Sequence, residues 1–318
     1  MDRTEILRAG LSRRDRLIEI GPSYNPLFPK RDGWNVVTVD HLDRDGLLAK
    51  YAGTPGVDPD RIEAVDVVWT GGSLAEAFPP SEHGSFDAFV ASHVIEHTTD
   101  LVGFLGAALR LLKPEGVIVL AVPDKRLCFD AYRPLSTTAE AVFAHREARS
   151  RHTSKTLFEY LAYSAKKGDD LSWARADDRP LRLNFDLGGS RGFLDDLPPG
   201  EYRDAHAWVM VPASFELMIC ELSALGLLDC RVARIEPAAG LEFYAWLRRG
   251  DGAPDAAALA ATRRRLLDRI VVELAEQALQ IPESPFHRME ARLRQLEGRT
   301  LHGRLRRARA WLRRIRPG

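Results

Sequence analysis

Phe86-Asp-Ala-Phe-Val-Ala-Ser-His-Val-Ile-Glu-His97, followed by Leu111-Leu-Lys-Pro-Glu-Gly-Val-Ile-Val-Leu-Ala-Val-Pro-Asp-Lys-Arg126, is the stretch whose reading decides the fold. Phe86 to Ser92 is a short apolar run of strand length. Leu101 to Leu112 repeats apolar residues at helical spacing, and Lys113-Pro-Glu-Gly116 stops that helix and turns the chain. Val117 to Val122 then supplies another strand at once. Working outward, Arg16 to Gly21, Trp34 to Asp40 and Val65 to Trp69 are three further short strand-like runs. Strands alternating with helices of this length predict a doubly wound α/β fold: a mostly parallel, seven-stranded sheet with helices on both faces.

Beyond Asp124 the pattern changes. Ala139 to Ala165 reads as helix, and Gly168 to Pro199 is polar and rich in loop residues. Helical periodicity returns at Ala213 to Leu225 behind Pro212. Cys230 to Ile235 and Leu241 to Leu247 then read as an antiparallel pair at the sheet edge, joined by a turn at Pro237 and Gly240. We therefore expect one domain over residues 1–250 with a substrate-recognition insertion at 125–205. A linker from Gly250 to Pro254 leads into a helical extension over 251–318.

Composition sets limits. Apolar content of 45% permits a sizeable core, and a formal net charge of zero argues against whole-surface attraction to nucleic acid. No run approaches the ~20 apolar residues of a membrane span, and Met1 to Arg16 lacks a signal-peptide core. A cytoplasmic location is expected. Cys128, Cys220 and Cys230 show no CxxC spacing, and no close pairing of His with Cys suggests a metal, so no metal ligands are expected.

Open α/β sheets bind ligands beyond the carboxyl ends of their strands. Those ends read Glu19-Ile-Gly-Pro-Ser-Tyr-Asn-Pro26, Asp40, Trp69-Thr-Gly-Gly-Ser73 and Ser92-His-Val-Ile-Glu-His97. An acid about 20 residues after Gly21 suits a ribose diol, and glycines admit close approach of a flat ring. A dinucleotide dehydrogenase needs GxGxxG, which Gly21-Pro-Ser-Tyr-Asn-Pro lacks.

Together, EIGPSYNP, VDHLD, VVWTGG, ASHVIEH, VPDKRLCFDAYRP and DAHAW resemble the class I S-adenosylmethionine-dependent methyltransferases with a type 11-like domain. Within that class they are most similar to bacterial proteins associated with glycan or surface-polysaccharide pathways. The resemblance covers roughly residues 16–249. It implies S-adenosylmethionine as cofactor, with Glu19 and Gly21 beside its methionine part and Asp40 on its ribose. Gly71, Gly72 and Ser73 would lie near the adenine, and Ser92 and His93 near the sulfonium, with His97 shaping the pocket. One departure matters: Pro22, Ser23, Asn25 and Pro26 replace the usual glycines, leaving the Asn25 amide as a side-chain contact.

Methyl transfer to an alcohol benefits from a base, and histidine titrates near neutrality. His206, in DAHAWVMVP, is the first candidate, with a structural histidine held by Asp204 as its alternative. His152 is the candidate in the insertion, and Asp124 the candidate to position a substrate hydroxyl. Lys125 and Arg126 either bind an anionic substrate group or pair with neighbouring acids. Tyr132, Tyr160, Tyr163, Trp173 and Trp208 offer aromatic faces suited to sugar rings, although most such residues are core. The leading expectation is O-methylation of a sugar hydroxyl on a glycan or glycolipid. A small-molecule O- or N-methyltransferase and a non-catalytic binding module are the alternatives.

From Leu301 to Arg316, apolar residues recur on one helical face among seven arginines, with no acid between them. Such a helix suits the interface of an anionic membrane, and peripheral association at its inner face is the leading reading, with packing against acidic helices such as Val271 to Gln280, a solvated end and nucleic-acid binding as the alternatives. Full-length protein should pellet with anionic but not neutral liposomes, while a chain ending at Glu297 stays in the supernatant. Equal behaviour of the two would remove the tail as an anchor.

Overall fold

The computed structural model describes residues 2–299 except 196–197, 199–200, 238–239, 251, 253–254 and 282–283. The expected basic amphipathic helix at 301–316 and most of the expected turn and linker therefore lie outside the described residues. In chain order the elements begin with α1 (Arg3–Arg8), β1 (Leu17–Ile20), β2 (Val36–Asp40), α2 (Arg44–Lys50), β3 (Val67–Val68) and β4 (Phe86–Ser92). Then come α3 (Leu101–Leu111), β5 (Leu112–Pro123), α4 (Thr138–Arg146), α5 (Ser154–Ala162), β6 (Ala165–Lys167) and β7 (Leu181–Leu183). The chain continues with α6 (Pro212–Ala224), β8 (Cys230–Pro237), β9 (Glu242–Arg249), α7 (Ala256–Ala278) and α8 (Pro285–Arg299).

Seven strands form one sheet in the order β3-β2-β1-β4-β5-β9-β8. The first five are parallel, β9 pairs antiparallel with β5, and β8 closes the edge antiparallel to β9. This is the doubly wound, mostly parallel seven-stranded sheet that the alternation of strands and helices predicts, in the topology that the resemblance to class I methyltransferases implies.

Successive side chains of a strand point to opposite faces, and the central strands bury both. Ile18, Ile20, Phe89, Ala91, Ile118, Leu120 and Val122 face a core completed by α3, α4 and α6. Leu17, Ala88, Val90, Val117, Val119 and Ala121 face a second core. Helices were expected on both faces, yet the second is closed chiefly by Leu7 of α1, Leu27, Phe28 and Trp34. The reason lies in the β1–β2 connection, where Pro22, Pro26 and Pro29 leave only a 3₁₀ turn at Lys30–Asp32. Proline lacks the N–H a helix needs and biases the residue before it away from helical angles.

Two local expectations are refined. The turn at Lys113–Gly116 becomes an irregularity in the ladder: Phe86 pairs with Leu112 and Ala88 already with Val117. The helix expected over Ala139 to Ala165 is two helices, because Thr153 accepts a hydrogen bond from Thr156 N–H and starts α5 afresh.

Helix α7, the start of the expected helical extension, docks on the domain through polar contacts. Glu273 accepts from Ala213 N–H at the start of α6 (2.9 Å), and the Gln277 amide donates to Ala131 O (2.6 Å). Arg126, 2% exposed, makes a bidentate pair with fully buried Asp124 (2.8 and 2.6 Å) and reaches Glu276 at 2.9 Å. Asp124 is thus bonded to Arg126, and the Lys125 ammonium donates to Ala131 O (2.8 Å) and Gln277 Oε1 (3.2 Å) rather than to an acid. Trp173 donates to Arg126 O and Gln280 Oε1, and Trp208 to Thr98 O; both are buried core, not a sugar platform.

Removing one partner of a buried pair leaves the other charge uncompensated. Asp124→Ala should therefore lower stability by about 3–5 kcal/mol in urea unfolding. Glu276→Ala, at a half-exposed partner, should cost at most about 1 kcal/mol.

Candidate active site

The strand order reverses between β1 and β4, so the loops after these strands diverge and leave a crevice at their carboxyl ends. Gly21 leaves β1 at φ 61°, and a Cβ there would meet Val94 Cγ2 at 3.2 Å, so the two loops touch across the reversal. Glu19 does not face the crevice. It is 3% exposed and accepts Leu27 N–H (2.6 Å) and Phe28 N–H (3.0 Å), holding the proline-rich loop in place. Burial pushes its carboxyl up to about 7, against those two hydrogen bonds.

Asp40, at the end of β2, accepts Ser23 N–H (3.0 Å) and Oγ–H (3.3 Å) on one oxygen. On the other it meets His41 N–H (2.8 Å) and Nδ1 (2.6 Å). A ribose diol at Asp40 exchanges for these bonds rather than adding to bare oxygens. Asn25 is exposed, and its amide oxygen accepts from Arg61 (2.7 Å). Gly71 and Gly72 stand at φ 146° and 75°, with nothing within 4 Å of a Cβ on either, which leaves room beside them for a flat ring. Ser73 follows at the start of a 3₁₀ turn without a side-chain cap. Ser92 Oγ accepts from Arg3 at 2.6 Å.

Beyond β4 the site becomes a cluster of histidines and carboxylates. His93 donates from Nε2 to Glu242 (2.8 Å), while its Nδ1 lies 3.5 Å from Glu96. Burial opposes its charge, but the Glu242 bond and the charges of Glu96 and Glu242 lift it to about 9. Burial likewise works against Glu242, and bonds from His93 and Arg3 hold it down at about 2. His97 Nδ1 bonds Asp204 (2.9 Å), and His206 Nδ1 bonds Asp130 (2.5 Å), which also pairs with buried Arg133 (2.8 Å). The partner of His206 is therefore Asp130, not the expected Asp204. The rings of His97 and His206 lie edge to face with centroids 4.7 Å apart.

His152 is 4% exposed and both its ring nitrogens lack hydrogen bonds among the described residues. Burial pushes it down to about 4, so it is neutral near pH 7. Thus His97, His206 and His152 converge, whereas Asp124 belongs to the α7 dock. Glu96, Asp130, Glu242 and Arg3 were not expected at the site. Glu96 and Asp130 sit inside ASHVIEH and CFDAYRP, but nothing local marks a buried acid. Glu242 and Arg3 meet over 239 positions, beyond any spacing rule.

Residues 3–178, more than half of the chain, match a family described as a methyltransferase domain. The chain belongs to this family of S-adenosylmethionine-dependent methyltransferases. It is 42% identical over 53 residues to the ubiquinone biosynthesis O-methyltransferase of Rhodopseudomonas palustris (strain BisA53). That segment is 17% of this chain and 20% of the relative, so the match spans about a fifth of the relative's length. Among solved structures, it is similar to the CcbJ methyltransferase from Streptomyces caelestis, at 14% identity over 78% of this chain and 94% of that one (TM-score 0.39). Another is the 1,6-didemethyltoxoflavin-N1-methyltransferase of Burkholderia thailandensis with bound 1,6-didemethyltoxoflavin and S-adenosylhomocysteine. It matches at 14% identity over 78% and 76% of the two chains (TM-score 0.36).

Two outcomes follow for the crevice. Asp40→Ala should weaken S-adenosylmethionine binding in calorimetry by about 1–2 kcal/mol, the net worth of charge-assisted bonds exchanged for local ones. For Glu19, a folded pKa of about 7 against the usual 4.5 means the folded state binds the proton more tightly than the unfolded one. Its contribution to stability is present below pH 4.5 and lost as pH rises through 7. The stability of wild type in urea should therefore fall relative to that of Glu19→Gln from pH 5 to pH 8. A difference independent of pH would mean that Glu19 is charged throughout.

Proposed function

We propose that the protein is an O-methyltransferase that places the methyl group on a sugar hydroxyl of a glycan or glycolipid. The observation that carries this reading is the buried Asp130–His206 pair. Burial raises the Asp130 carboxyl, but the hydrogen bond from His206 and the charge and hydrogen bond of Arg133 outweigh it and hold it below the usual carboxylate range. An ionised Asp130 holds the His206 Nδ1 proton and leaves Nε2 as the acceptor of a hydroxyl proton. Phe129 and Tyr160 flank the His206 ring at 4.6 and 6.3 Å, and Tyr202 lies 5.6 Å from His152. Aromatic faces of this kind suit a sugar ring. The curated relative that shares the 53-residue segment is itself an O-methyltransferase.

S-adenosylmethionine, when bound, supplies an electrophilic methyl group on its sulfonium. The residues proposed to hold it are Asp40 and the Gly21, Gly71–Gly72 and Ser92–His93 loops. Their contribution is alignment, which for a displacement in line is most of the catalysis. His206 Nε2 would take the hydroxyl proton as the acceptor oxygen bonds the methyl carbon and the carbon–sulfur bond breaks, the sulfur leaving as the thioether of S-adenosylhomocysteine.

Labelled S-adenosylmethionine supplied with fractionated cell glycans, lipids and small metabolites tests the acceptor. Label should enter glycan or glycolipid as an alkali-stable methyl ether; label confined to small metabolites would overturn the sugar assignment. His206→Ala should lower turnover about 10²–10⁴-fold, the usual worth of a general base, with cofactor affinity unchanged. Parallel loss of cofactor binding and of melting temperature would instead make His206 structural.

A further inference from the structure

Glu96 is fully buried, and neither of its carboxylate oxygens has a hydrogen-bond partner among the described residues. An ionised carboxylate held that way is costly, because the interior offers nothing equivalent to the water it has lost. Its neighbours are imidazoles: His93 Nδ1 stands 3.5 Å and His97 Nε2 3.9 Å from Glu96 Oε1, and one donor atom from each of Glu96, His97 and His206 lies within 4.8 Å of the other two. A cation about 2.0–2.2 Å from each of three such donors holds them roughly 3–4 Å apart. Small side-chain rotations close the remaining gap.

The tautomers favour a cation too. His97 gives its Nδ1 proton to Asp204 and His206 gives its own to Asp130. Each ring is thereby fixed by a carboxylate at Nδ1, so that in the neutral ring Nε2 is the atom left to take a cation. Histidines that ligate metals are ordinarily held in this way. His152, buried with both nitrogens unpartnered, adds a further donor at the rim, its Nε2 3.8 Å from Asp204.

We infer that Glu96, His97 and His206 form a site for one divalent first-row cation such as Zn²⁺ or Co²⁺. Two imidazoles and one carboxylate suit these borderline ions better than Mg²⁺, which prefers oxygen ligands and retained water. Three protein ligands leave coordination positions open, as in sites that receive an exchangeable ligand. The ligands those positions take are adjacent oxygens of the acceptor, a vicinal diol being the simplest. This last step rests on the sugar reading above and changes the role of His206 from base to ligand; cation binding itself does not depend on that reading.

Sequence spacing hides the site because Glu96 and His97 are adjacent while His206 lies in a distant segment. The test uses the full chain, stripped with chelator and titrated with Co²⁺ and Zn²⁺ in the absence of acceptor. Wild type should bind one Co²⁺ per chain with visible absorption bands from nitrogen and oxygen ligands, displaced by Zn²⁺. Glu96→Gln and His97→Gln should abolish the bands. Because Glu96 is buried and its variant is open to misfolding, Asp204→Asn at an exposed carboxylate provides the second arm. It should weaken binding about 10–100-fold, as second-shell changes do, with S-adenosylmethionine binding retained as the control of folding. Absence of stoichiometric binding in wild type, or equal binding in all variants, overturns the site and leaves His206 available as a base. Stoichiometric binding lost in the variants upholds the site even if no sugar is methylated, which would remove the acceptor reading alone.

Discussion

The turn that ends β4 governs the geometry of the site. Strand β4 lies between β1 and β5 and buries both faces, so its carboxyl end has almost no freedom to shift. His93 leaves it at φ 54°, a left-handed angle uncommon outside glycine, and its N–H is tied to Ala121 O at 3.0 Å on the neighbouring strand. The chain then winds into a 3₁₀ turn over Ile95–His97 that carries Glu96 inward. Ala207 and Trp208 N–H both donate to Glu96 O, so the distant segment that bears His206 is laid directly against this turn. The strained angle is sustained by these contacts, and the convergence of His97 with His206 follows from it.

Around the turn the protein concentrates buried charge, and each part of the network solves the same problem of desolvation. Glu242 gathers Arg3, His93 and Tyr244 around one carboxylate. Asp130 is shared between Arg133 and His206, and Arg133 also donates to His206 O. Glu96 departs from the pattern: the rings of His93 and His97 lie nearest to it, at 3.5 and 3.9 Å, and neither makes a hydrogen bond to it. Buried polar groups are ordinarily satisfied, and the exceptions concentrate at functional sites.

The remaining layers hold this arrangement in place. The insertion supplies Asp130, His152 and Tyr160, and buried Trp173 fastens it to Arg126 and to Gln280 beyond α7. Helix α7 in turn clasps the start of α6 through Glu273 and the end of β5 through the Asp124–Arg126 pair. The segment after the sheet is in this way continuous with the support of the active site. The N-terminal helix is as well, because Arg3 bridges Ser92 and Glu242.

The sequence alone determined the sheet. Short apolar runs separated by helical periodicity and turn residues specify parallel strands wherever they occur, because a buried strand and an amphipathic helix have different periods. Cys230–Pro237 and Glu242–Arg249 form the antiparallel edge that their turn residues predict, and the segment Ser92–His97 is legible as a strand end carrying chemistry. Local pattern also marks His206, His97 and His152 as candidates, since histidine near a loop end is conspicuous wherever it stands. What they bond to is not legible, and neither is the difference between Asp124, absorbed by Arg126 two residues away, and Asp130, which meets His206 across 76 positions. Pairing between distant segments depends on how loops pack over the sheet, and no periodicity encodes that. The tertiary structure alone decided which acids are buried, which of them lack a partner, and that an inward turn after β4 brings Glu96, His97 and His206 together.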